Sequence, residues 1–144
     1  MNLAELLKKG EIKKVEEDSA FAKKLVLAAE NSIQAAEDNL KMGHYDVCLM
    51  LCYNAMLNCG RALMAAKGYR ASSDTHHIAV VNFCTAYLPP VSSLLVASFN
   101  KYRVRRHDIA YGEIETGSVG KSEAENAIGK AGEFLGIAKQ KIKL

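Results

Sequence analysis

The stretch FNKYRVRRHDIAYGE, residues 99–113, puts Lys101, Arg103, Arg105 and Arg106 within six consecutive positions and follows them with His107, Asp108 and Tyr111. On a helix, residues four apart are neighbours, so Arg103 adjoins His107, Tyr102 adjoins Arg106, and His107 adjoins Tyr111. Guanidinium groups grip phosphate through paired N–H donors, imidazole exchanges protons near neutral pH, and a tyrosine can donate to a phosphate or stack under a base. That set suits an RNA backbone or a nucleotide. The same residues also fit a solvated cationic face in which Arg106 pairs with a carboxylate such as Asp46 or Glu113.

Other candidate chemistry is weaker. GSVGKS, residues 117–122, ends in Gly-Lys-Ser at a helix start, but Glu115 stands where a phosphate-binding loop needs its first glycine, and no strand precedes it. A loop feeding a capped helix is expected there, with Ser122 and Glu125 as a capping box. His76 and His77 read as exposed polar residues at a helix start. A metal site built from Cys84 with His76 and His77 lacks any CxxC or HxxxH spacing, so neither metal nor other cofactor is expected. Cys48, Cys52 and Cys59 follow one helical pattern and read, with Cys84, as buried thiols acting as small hydrophobes.

The elements that carry these residues follow from composition and period. A chain of 144 residues can bury one core, and 49% hydrophobic with only 7% aromatic residues is the inventory of packed helices. A net charge of +3 does not identify a nucleic-acid binder, so the clustering at 101–106 matters more than the sum. Ala22, Val26, Ala29, Ile33, Ala36 and Leu40 form one amphipathic face, closed by Gly43. From Tyr45 to Ala66 two apolar stripes run side by side, the mark of the most buried helix of a bundle, and Gly68 ends it. A shorter helix is expected over Thr75–Leu88, stopped by Pro89 and Pro90. From Val91 the inward stripe is Leu95, Phe99, Tyr102, Arg106 and Ile109 until Gly112. Arginine is rarely buried on such a stripe without a partner or a ligand. A last helix runs from Ser122 through Ile142.

The expectation is an all-α, up-and-down antiparallel bundle of four long helices plus a short crossing helix. Residues 1–18, with a helical turn over Leu3–Lys8, form a helical leader, and 19–144 form the bundle. No signal-peptide core and no uninterrupted apolar run of spanning length is present, which points to a cytoplasmic protein with no membrane attachment.

Between Ala29 and Tyr111 the chain resembles the HEPN domains, small helical bundles. The resemblance is carried by AAEDNLKMGHYDVCLMLCYNAMLNCGRALMAAKGYR, with Gly43-x-Tyr45-Asp46 and then Tyr53-x-Ala55, and by RHDIAYG at 106–112. LAELLKKGEIKKVEED is similar to the leader of single-domain archaeal and bacterial members. The resemblance implies a homodimer whose motif helices line a shared basic cleft. It also implies metal-independent RNA cleavage in many members, and toxin-antitoxin pairing with a minimal nucleotidyltransferase in others. The family's active motif is an arginine, a polar residue, and a histidine one to two helical turns beyond the arginine. Arg106 matches the arginine and His107 the polar residue, but positions 111–113 read Tyr, Gly, Glu where the histidine would stand. Loss of a general acid-base group removes a factor of about 10² to 10⁴ in rate, whereas phosphate binding by arginine persists. The resulting expectation is nucleotide or RNA binding through Lys101, Arg103, Arg105, Arg106 and Tyr111, with Arg106, His107 and Tyr111 as the candidates for catalysis. The alternative is a metal-independent endoribonuclease toxin in which His107 or Tyr111 replaces the usual base. By the same resemblance, Tyr111 is also a candidate for nucleotidylation.

Overall fold

The computed structural model describes residues 2–72, 77–112 and 118–144. The elements in order are α1 (Leu3–Lys8), β1 (Ile12–Lys14), α2 (Ser19–Lys41), α3 (Tyr45–Lys67), β2 (Tyr69–Ala71), α4 (His77–Tyr87), a 3-10 turn at Pro90–Ser92, α5 (Ser93–Ala110) and α6 (Lys121–Ile142). This is the expected all-α bundle: α2, α3, α5 and α6 are its long helices and α4 the short one.

Local chemistry sets the boundaries. Asp18 caps α2 by accepting from the Phe21 amide at 2.9 Å. Gly68 ends α3 in the left-handed region at φ 82, where its amide reaches the carbonyls of Met64 and Ala65. Pro89 and Pro90 separate α4 from α5, and Gly112 follows α5 at φ 69. One cap departs from expectation. The residue before α6 is Gly120, with no side-chain cap, and Ser122 lies inside the first turn, so Ser122 and Glu125 do not form a capping box. Glu123 accounts for the earlier start, because its carboxylate sits in that first turn, suits the helix dipole and is held by Arg105.

α3 is the centre of the molecule and packs against α2, α4, α5 and α6. Both of its apolar stripes are used: Cys48, Leu49, Cys52, Tyr53, Met56, Cys59 and Leu63 are all fully buried. By length and composition α3 is apolar enough to cross a membrane, with a mean hydropathy of 1.3, but 61% of that stretch is buried inside the protein. Alanines line its closest neighbours, Ala29 and Ala36 on α2 and Ala124, Ala127, Ala131 and Ala138 on α6, so the backbones can approach. Phe99 of α5 meets Phe134 of α6 edge to face at 5.5 Å.

The cysteines behave as expected. All four are free and buried. Burial pushes each thiol up, Cys59 to about 12, so none is a thiolate near neutral pH.

The leader is not helical throughout. β1 pairs antiparallel with β2, Ile12 opposite Ala71 and Lys14 opposite Tyr69, a ladder too short to show alternation in the sequence. Leu6 and Ile12 enter the core. The amides of Val15 and Asp18 bond the carbonyls of Gly68 and Ala65 at 2.9 Å each, satisfying the open C-terminal end of α3.

Gly60 marks the tightest crossing. A Cβ there would lie 2.6 Å from Val80 Cγ1 and 3.2 Å from Cys84 Sγ, whereas one at Gly132 of α6 meets nothing within 4 Å. Gly60→Val should therefore destabilise the protein by about 2 kcal/mol or more through overpacking, and Gly132→Ala should stabilise it by about 0.5–1 kcal/mol through helix propensity. Chemical denaturation of the two variants checks this, and a neutral Gly60→Val would refute the packing assigned to that crossing.

Candidate functional site

The basic run of α5 divides by helix face. Arg105 points to α6, where its Nε and Nη2 donate to the two carboxylate oxygens of Glu123 at 3.0 and 2.7 Å. This bidentate pair ties the end of α5 to the start of α6 across the loop between them. Tyr102 is buried next to it, its hydroxyl accepting from Asn126 Nδ2 at 2.6 Å.

Arg106 falls on the face that buries Leu95, Phe99 and Tyr102. It is half-buried, and its buried Nε has no hydrogen-bond partner among the described residues. Arg105 makes an ion pair in this region, with Glu123. Asp46, the carboxylate considered for Arg106, acts electrostatically on Arg105, and Glu113 lies outside the described residues. Arg103, three residues before Arg106, is half-buried with its Nε donating to Asn100 at 3.0 Å.

Lys101, His107 and Tyr111 look outward. The Lys101 ammonium lies 5.6 Å from the centre of the Tyr102 ring. The His107 side chain is 60% exposed, with Nδ1 3.9 Å from an Asp108 carboxylate oxygen. Its ring packs 4.6 Å from that of Tyr111, which is itself 68% exposed and closes α5.

The charges of Arg103 and Arg106 also act on two residues of other helices, Tyr53 and His77. Tyr53 of α3 is fully buried, and its hydroxyl lies 3.0 Å from Nδ1 of His77, at the start of α4. Burial pushes the Tyr53 phenol up to about 12, although Arg103 and Arg106 pull it down, so it keeps its proton. The His77 imidazole is held below its ordinary value of 6.5, first by burial and then by the positive charges of Arg106, Arg61 and Arg103. The arrangement is a neutral, hydrogen-bonded Tyr53–His77 pair within the field of three guanidinium groups. Chemically, it offers cations for an anion together with an imidazole uncharged at neutral pH.

His77 is therefore not the exposed polar residue that the sequence suggests, while His76 lies outside the described residues. The tyrosine and the histidine are 24 positions apart, so no local spacing links them. The signals present were the Tyr53-x-Ala55 motif inside a buried helix and a histidine at a helix start. Cys84, once considered with these histidines for a metal, is buried in the core. Among the described residues no group of three or more His, Cys, Asp or Glu is placed to hold a metal ion.

The family model of the HEPN domain matches residues 22–142. The chain belongs to the HEPN family. No curated protein matches the sequence. At the level of the family, membership supports a role in nucleotide or RNA chemistry, such as that of ribonuclease toxins. In this HEPN domain the imidazole on which the charge of Arg106 acts comes from α4.

The depressed His77 has a consequence for stability. The unfolded chain binds a proton at this ring more readily than the folded one, so stability is full above about pH 6.5 and declines as pH falls below it. Thermal melting between pH 7.5 and 5 should show that decline in the wild type and a weaker one in His77→Gln, with His77 titrating below 6.5 by NMR. A His77 resonance titrating above 6.5 would contradict the electrostatic assignment.

Proposed function

We propose that this HEPN protein binds a nucleotide or an RNA strand as a homodimer, with Arg103 and Arg106 on the phosphate and Lys101 and Tyr111 at the rim. The observation that carries the reading is a half-buried Arg106 whose Nε has no hydrogen-bond partner among the described residues and whose charge acts on the Tyr53–His77 pair. A buried polar group is normally satisfied, and an unsatisfied guanidinium N–H is a donor held ready for an anion. Arg105 contributes indirectly, by holding the α5–α6 corner through Glu123.

The dimer is supported by an apolar surface. Val91 is 89% and Leu94 78% exposed, and Leu94 shares an outer stripe of α5 with Ala97, Lys101 and Val104. Large apolar side chains exposed together on one helix favour a partner surface. A twofold contact there would bring two basic helix ends into one assembly. A minimal nucleotidyltransferase is the partner protein of the same proposal.

The second reading is metal-independent RNA cleavage, and His77 is the observation that favours it. It supplies a neutral imidazole at the arginine cluster, more sheltered than His107 and better suited to proton transfer at neutral pH than Tyr111.

Binding of a fluorescent single-stranded RNA in EDTA tests the proposal. Arg106→Ala should weaken affinity about tenfold or more, while Arg105→Ala should lower thermal stability and leave most of the affinity in place. Equal affinity of wild type and Arg106→Ala would reject the site. On the same samples, cleavage lost in both Arg106→Ala and His77→Gln would establish the nuclease, and intact RNA throughout would leave a binding module.

A further inference from the structure

A cavity of about 510 Å³ opens between the end of the leader, α3, β2 and the start of α4. Its volume is that of a small-molecule site. Leu57, Met64 and Val80 form apolar walls, and Phe21, 42% exposed, stands at the edge. Among the described residues the polar groups of the lining are of both signs. Arg61, Arg70 and His77 are the cations or donors, and Glu16 and Asp18 are the carboxylates. One Asp18 oxygen accepts from the Phe21 amide as the cap of α2, so Glu16 is the carboxylate assigned to a ligand here.

His77 and Arg61 belong to two places at once. Both line this cavity, and both take part in the electrostatics of the cluster formed with Arg103 and Arg106. The cavity therefore adjoins the basic end of α5. An inorganic anion would leave its apolar walls unfilled, and a fatty acid would press its chain toward the two carboxylates. A nucleoside phosphate matches every wall: an anionic end for the arginines, an aromatic face for Phe21, and an exocyclic amine for a carboxylate.

We propose that this cavity seats one nucleotide, its phosphate toward Arg61, Arg70 and His77, its base against Phe21, and its exocyclic amine on Glu16. The inference rests on the nucleotide-binding reading above and adds to the phosphate position at Arg103 and Arg106 a second one, with a seat for the base. Such a nucleotide comes either free or as an unpaired residue of an RNA strand, and both present the same chemistry. Glu16 adds selectivity, because cytosine carries an amine where uracil carries a carbonyl.

Calorimetric titration of the full chain with CMP, UMP, inorganic phosphate and a short oligocytidine RNA tests the inference. CMP should bind more tightly than UMP or phosphate, and Phe21→Ala and Arg70→Ala should each weaken CMP by about tenfold. Both replaced side chains reach the surface, so thermal melting of the variants verifies that they fold. If the same variants also weaken the RNA, an RNA residue occupies the cavity; if only CMP is affected, the ligand is the free nucleotide. Binding of RNA that depends on Arg106 but is indifferent to Phe21 and Arg70, without CMP binding, would overturn the cavity assignment and leave the proposed function standing. Indifference of every ligand to Arg106→Ala as well would overturn both.

Discussion

A helix that is apolar on nearly every side has to be surrounded, and α3 imposes that requirement on this molecule. Cys48, Tyr53, Ala55, Met56 and Cys59 cover too much of its circumference for one neighbour to bury, so α2, α4, α5 and α6 all pack against it. Small residues let them come close: alanines face it from α2 and α6, and Gly60 admits Val80 and Cys84 at the α4 crossing. The C-terminal carbonyls of α3 are satisfied by the leader, which crosses over Gly68. The position of the site follows from the same constraint. Tyr53 brings a hydroxyl into that buried surface, and a buried hydroxyl without a partner is costly. His77 meets it, which fixes an imidazole where α3, α4 and α5 come together.

Face by face, α5 assigns different work to residues that look alike in the sequence. Arg105 spends two donors on Glu123 and so contributes to the corner with α6. Arg106, one position on, turns into the seam with a buried Nε that no described residue satisfies, a cost of about 1–3 kcal/mol by the usual measure of a lost hydrogen bond. An apolar residue on that stripe would pack beside Leu95, Phe99 and Tyr102 without such a cost. The ligand proposed for this site would supply the acceptor that the described residues do not.

The parts of this arrangement that depend on period were legible in the sequence. The long helices, the turn of helix over Leu3–Lys8, the stop at Gly68 and the inward placement of cysteines rest on spacings and on glycine and proline chemistry that act within a few residues. What was not legible depends on distance along the chain. β1 and β2 are three residues each and are defined only by one another, across more than fifty intervening positions. The start of α6 was misjudged because its first turn is set by Arg105, 18 residues upstream of Glu123, and not by Ser122. Likewise His77 resembles any polar residue at a helix start until α3 brings Tyr53 beneath it.

The cations assigned to an anion by the proposed function also add to the effect of burial in disfavouring a charged imidazole, and the two effects are thermodynamically linked. Burial is the first cause that holds His77 low, and repulsion from Arg106, Arg61 and Arg103 adds to it. A phosphate seated among these arginines would cancel much of that repulsion and add an attraction of its own, raising the affinity of the ring for a proton. Linkage is reciprocal, so a protonated His77 must in turn hold the anion more tightly. For a pure binding site this means affinity that grows as pH falls. For a nuclease it means an imidazole that is neutral in the empty site and readier to carry a proton once the phosphate is in place. A general acid needs that change, and no histidine on α5 is required to provide it.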